Sequence, residues 1–118
     1  MLHQTWSPDQ ALPTVERSVA LGVFDGVHIG HRAVISEARN VKPSPASPAP
    51  TATVFSLVGV PKSGKKLLTA EQEKAQAATL GVDEWLCVPF DTVRALSPEA
   101  FVNDILHARL HARVVCCG

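Results

Sequence analysis

The sequence predicts an α/β domain: a parallel sheet with helices on both faces. Three observations lead there. Strand-like apolar runs alternate with segments of helical periodicity, in the order β-α-β-α-β-α-β. No two-residue Asn-Gly or Asp-Gly turn joins two such runs, so right-handed crossovers rather than hairpins connect the strands. The first run is continuously apolar instead of alternating, as a strand covered on both faces requires.

Residues 1–17 read as a lead-in segment, because Pro8 and Pro13 stand among polar residues without periodicity. Order is expected to begin at Ser18. The first strand runs from Ser18 to Phe24 and stops at Asp25-Gly26. Val34, Ile35, Ala38 and Val41 then recur at helical spacing, predicting a first helix from about His31 to Asn40 with one buried face. The prolines of Lys42–Pro50 block helix and sheet and mark a connection within the domain. Thr51–Leu57, β-branched and aromatic, is the second strand. Gly59–Lys66 is a lysine-bearing loop. Thr69-Ala70-Glu71-Gln72 forms a capping box that opens a second helix to Leu80, and Gly81 supplies its left-handed cap. Glu84–Val88 is the third strand. Ser97-Pro98-Glu99 supplies an N-cap, a first-turn proline and an acid for a third helix, which buries Phe101, Ile105, Leu106 and Leu110. Val114–Cys117 is the fourth strand.

Composition narrows the function. The chain has 118 residues, enough for one domain and one core. Eleven Lys plus Arg balance eleven Asp plus Glu, so no global basic field gathers nucleic acid or anionic membrane. Any bound anion must be held locally. Apolar residues at 46% and charged residues at 19% are globular fractions. Three cysteines without disulfide spacing, and a start lacking a signal-peptide pattern, predict a reduced cytoplasmic protein.

Ligands of parallel sheets bind at the carboxyl ends of the strands. The stretch following the first strand, Gly22-Val23-Phe24-Asp25-Gly26-Val27-His28-Ile29-Gly30-His31, is therefore where chemistry is expected. It joins a strand to a helix whose first N–H groups face the cleft, an arrangement for phosphates. Gly26 and Gly30 permit close backbone approach, and the His28 and His31 imidazoles can donate hydrogen bonds to charge developing on a transferring phosphoryl or nucleotidyl group. The bland reading is that both histidines merely satisfy helix-terminal groups. Two histidines also suit zinc, but no Cys, Asp or Glu beyond Asp25 lies at ligand spacing, so no metal site is assigned.

Gly22-x-Phe24-Asp25-Gly26-Val27-His28-x-Gly30-His31 resembles the signature of the prokaryotic bifunctional riboflavin kinase/FAD synthetases, in their N-terminal FMN adenylyltransferase module. The likeness continues through Leu67-Leu68-Thr69 with Glu73-Lys74, Leu80–Asp83, Pro89-Phe90-Asp91 and Leu96–Val102. It implies a Rossmann-like nucleotidyltransferase fold over residues 18–118, as a partial domain. It further implies that Gly22, Phe24, Asp25, Gly26 and Gly30 shape an ATP cradle and that His28 and His31 contact the phosphates. The implied reaction is attack of FMN on the α-phosphorus of ATP with Mg²⁺, giving FAD and pyrophosphate. A riboflavin kinase domain is expected downstream, and neither nucleic acid nor membrane is an expected partner. Two departures stand out. The family's Phe-(Asp/Glu)-Pro-His-Pro after the second strand is replaced by Phe55-Ser56-Leu57-Val58-Gly59-Val60-Pro61, which lacks the acid and the histidine. The chain stops at Gly118, before the family's later motifs, so a fragment is expected. The alternatives are a non-catalytic nucleotide-binding remnant and another H-x-G-H nucleotidyltransferase.

Other signals carry less. Gly59–Lys66 approaches a P-loop, but Lys66 stands where a metal-binding hydroxyl is needed. His107 and His111 lack the glutamate of a zinc-protease helix and read as surface residues. Cys116 and Cys117 read as a buried residue and its neighbour on the opposite face.

Overall fold

The computed structural model describes residues 2–22, 29–41, 48–58 and 81–117. Five strands, β1 (Leu2–Thr5), β2 (Arg17–Gly22), β3 (Thr51–Val58), β4 (Glu84–Pro89) and β5 (Ala112–Cys117), form one sheet in the order β1-β4-β3-β2-β5. Each strand pairing in it is parallel. Helix α1 (Ile29–Arg39) links β2 to β3. After β4 come a 3₁₀ turn (Phe90–Thr92), a single α-turn, α2 (Pro98–Ala100), and a π-helix (Phe101–His107).

The chain steps from β2 to β3 to β4 in one direction, then crosses back to place β5 on the other side of β2. Right-handed crossovers of opposite direction put their helices on opposite faces. Two cores result. On one face Ile35 and Ala38 of α1 pack on Ala20, Val54, Val82 and Trp85, and the Ser18 hydroxyl donates to the Ala38 carbonyl. On the other, Ile105 and Leu110 pack with Trp6, Val19, Phe55, Leu86, Val88 and Val93. The alternation of side chains along a strand sorts Val19 from Ala20, Phe55 from Val54 and Leu86 from Trp85.

The expected strands and the first and third helices are present with small shifts: β5 begins two residues earlier, at Ala112, and β4 extends to Pro89. Ser97 caps α2 through its Oγ, which accepts from the Ala100 N–H at 3.1 Å. The helix then widens. Asn103 and Ile105 carbonyls accept from the N–H groups five residues on, Ala108 at 3.1 Å and Leu110 at 3.0 Å, the π spacing that sets Ile105 and Leu110 on one face.

One expectation is corrected. Order begins at Leu2 rather than Ser18, because β1 pairs with β4 from Leu2↔Glu84 to Thr5↔Cys87. Trp6 follows, buried at 1% exposure, with its Nε1–H donating to the Gln10 carbonyl at 3.2 Å. Four residues are too few to show a period, and the pairing partner lies about eighty residues away along the chain. The lysine loop Gly59–Lys66, the second helix Thr69–Leu80 and residues 42–47 of the proline-rich connection lie outside the described residues. Gly81, expected in a left-handed conformation, has a φ of 74°.

Candidate active site

The strand order reverses beside β2, so the crevice of this sheet opens between the carboxyl ends of β2 and β5. Gly22 is the last residue of β2, opposite Ser56 in register. Gly30 and His31 lie in the first turn of α1. Phe24, Asp25, Gly26 and His28 lie outside the described residues, within 23–28. The described ends of that segment, Gly22 and Ile29, are the carboxyl end of the central strand and the amino end of an eleven-residue helix. The first turn of α1 carries no acidic residue of its own, and a helix amino terminus, with its positive dipole end, favours an anion. β5 borders the same crevice, with Cys117 beside Leu21 in register.

A second feature shares this end of the sheet. A cavity of about 300 Å³ opens over the carboxyl ends of β2, β3 and β4. Leu21 and Leu57 line it from the strands, and Phe90, Val93 and Arg94 line it from the turns after β4. Leu96, Pro98 and Phe101 close its far wall. The Phe101 ring meets the buried Phe55 ring edge-on, centroids 5.8 Å apart, and Phe55 in turn meets Trp6 at 6.3 Å. Aromatic edges packed in this way fix the wall of the cavity. The sequence placed several of these residues in strands, a helix face and the family-like motifs, but assigned none of them to a binding site. The signal was available in Phe90 and Leu96, large apolar residues in a connection that follows a strand end.

The opposite end of the sheet is held by charge. Arg17, fully buried, donates from Nε to Glu84 Oε1 at 2.6 Å and from its terminal nitrogens to the Leu110 and Pro13 carbonyls, each at 3.0 Å. Thr53 donates its hydroxyl to Glu84 Oε1 at 2.8 Å. His107 is exposed and His111 half-buried; with Glu16 and Arg113 they line a shallow surface hollow at this amino end. Cys116 is half-buried and Cys117 exposed, so neither is a core residue: β5 is an edge strand. Cys116 and Cys117 are free thiols. Among the described residues no three His, Cys, Asp or Glu side chains gather as metal ligands.

The sequence profile of the FAD synthetase family matches residues 12–118. The chain belongs to that family. It is 36% identical to the bifunctional riboflavin kinase/FMN adenylyltransferase of Listeria monocytogenes over 99% of its length, which is 38% of that protein. The enzymes of the same name from Bacillus subtilis and Escherichia coli K12 are 33% and 30% identical, over 75% and 85% of this chain. The chain thus spans about a third of the length of these relatives. The resemblance drawn from the H-x-G-H segment and the motifs after it therefore holds, and the parallel sheet is the nucleotidyltransferase fold of FAD synthetases. No described helix is long and apolar enough to cross a membrane.

Proposed function

We propose that this FAD synthetase domain transfers AMP from ATP to FMN, in the cytoplasm. The observation that carries the reading is a juxtaposition at one end of the sheet. A helix amino terminus suited to phosphates stands at β2, and a cavity walled by Phe90 and Phe101, suited to a flat aromatic ring, lies over the neighbouring strand ends. An FMN phosphate oxygen attacks the α-phosphorus, the bond from that phosphorus to the bridging oxygen breaks, and pyrophosphate leaves with the electron pair. No covalent enzyme intermediate is needed. The residues orient the two phosphates in line and donate hydrogen bonds to the charge that builds on them. We assign the nucleotide cradle to Gly22, Phe24, Asp25, Gly26 and Gly30, and phosphate contact to His28 and His31. Mg²⁺ bound with the triphosphate would neutralise phosphate charge. Riboflavin kinase is the other activity in the relatives' name. A kinase domain in the remaining length would make the FMN consumed here.

Two measurements test the proposal. Backbone amide shifts on adding ATP with Mg²⁺ are expected to concentrate at Gly22–His31. Shifts confined to Gly59–Lys66 would support a P-loop instead. His28→Ala and His31→Ala should each lower FAD formation by about 10², the scale for losing one preorganised donor. ATP binding with no FAD formed by the unsubstituted protein supports the non-catalytic remnant.

A further inference from the structure

We propose that Arg94 is a specificity-determining residue of the cavity, its guanidinium reading the carbonyl-bearing edge of the acceptor's ring. The assignment rests on the cavity being the acceptor site. Among the described residues its lining is apolar except at one place: Leu21, Leu57, Phe90 and Phe101 offer surface to a ring but no side-chain hydrogen bond, and Arg94 is the single charged side chain among those described. A flavin ring is apolar at one end and carries two carbonyl oxygens and a ring nitrogen at the other. Of the described lining side chains, the arginine is the one that can orient such a ring by charge-assisted hydrogen bonds.

Position decides which part of the ligand it meets. Arg94 lies in the turns after β4, and β4 is two strands from β2 in the sheet. With strands about 4.8 Å apart, the end of β4 is roughly 10 Å from the end of β2, where α1 begins and where the reacting phosphates are assigned. Arg94 therefore stands at the end of the cavity away from the chemistry, over the ring and not over the FMN phosphate. Its guanidinium is also available. Nη1 contacts Asp91 Oδ1 at 3.2 Å, with the two side chains 63% and 85% exposed. An exposed pair of this kind contributes little, so exchanging or sharing that partner costs little. The planar fork of an arginine matches neighbouring acceptors on a ring edge, which an ammonium does not.

The test compares three ligands on the 118-residue chain: FMN, riboflavin, which lacks the phosphate, and lumiflavin, which lacks phosphate and ribityl chain alike. Fluorescence quenching reads their dissociation constants. Arg94→Ala is expected to weaken all three by about tenfold and by the same factor, the scale of a lost charge-assisted hydrogen bond. Arg94→Lys should lose part of that, ATP affinity should not change, and the melting temperature should stay constant because the side chain is mostly exposed. A loss restricted to FMN would overturn the assignment by placing Arg94 on the phosphate, and an equal affinity in all variants would overturn it by removing the contact. If the unsubstituted chain binds none of the three flavins, the acceptor reading of the cavity fails, and this assignment with it.

Discussion

His111, between the turn that follows the π-helix and the start of β5, has a φ of 52°, the left-handed region, where a residue with a Cβ is strained and glycine is not. Replacing it by glycine removes strain of about 1–2 kcal/mol and adds back part of it as unfolded-chain freedom. His111→Gly is expected to stabilise the fold by about 0.5–1 kcal/mol, read as a midpoint shift in urea unfolding. Gly81 is the converse. At φ 74° an added Cβ is strained and would stand 3.2 Å from Arg39 Cδ, so Gly81→Ala should cost about 1–2 kcal/mol in the same assay. A third residue responds to pH. Burial pushes the Cys116 thiol above its ordinary value of 9.0, helped by the charge of Glu37 and then by Cys117. A group whose folded value is raised favours the folded state below its unfolded value, and that contribution fades as pH rises through the folded one. Cys116 should accordingly alkylate more slowly than exposed Cys117 near pH 8.5, which peptide mass mapping resolves, and replacing it with Ala should flatten the alkaline loss of stability.

Arg17, Thr53 and Glu84 come from the beginnings of β2, β3 and β4, and their contact fixes how these strands meet. The guanidinium also ties Pro13 and Leu110 to the sheet. Removing one member leaves a buried charge alone, so Glu84→Ala should cost about 3–5 kcal/mol, whereas the double change Arg17→Met with Glu84→Leu should cost much less. A thermodynamic cycle in urea checks the difference. This cluster also shows where sequence reading stops. The strands from Arg17, Thr51 and Glu84 and the Ser97 cap were legible because apolar runs and capping residues are local signals. Arg17 was not, since a charged residue beside an apolar run reads as exposed until its partner, 67 residues away, is known. β1 was missed for the same reason. Phe90 and Leu96 were a local hint of an apolar wall, but Phe90, Arg94 and Phe101 converge on Leu21 and Leu57 only through the crossover, so the cavity itself was not legible in one segment. Within the site, the sequence put Gly22 inside a strand expected to run to Phe24 and His31 at the start of a helix; in the structure β2 ends at Gly22 and His31 lies in the first turn of α1.

For the whole molecule, the two faces of the sheet are covered by different segments, α1 on one and the π-helix on the other. Ligands at the carboxyl ends would touch connections from β2, β3 and β4 together. A nucleotide or flavin that binds only the folded chain should therefore stabilise it by about 2.7 kcal/mol at a hundredfold excess over the dissociation constant, read as a rise in melting temperature. Calorimetry with ATP and Mg²⁺, with FMN, and with both checks this, and absence of any shift counts against binding at that end.

The buried Arg17–Glu84 contact has a consequence for redesign. It lies at the amino ends of the strands, while Phe90, Arg94, Leu96 and Phe101 stand at the carboxyl ends, beyond the Phe55 layer. Changes to the connection from Phe90 to Phe101 therefore do not touch the ionic knot that sets strand register. The domain can serve as a chassis: the wall of the cavity can be rewritten in that one connection, by library or graft, while the far end of the sheet keeps the frame in alignment.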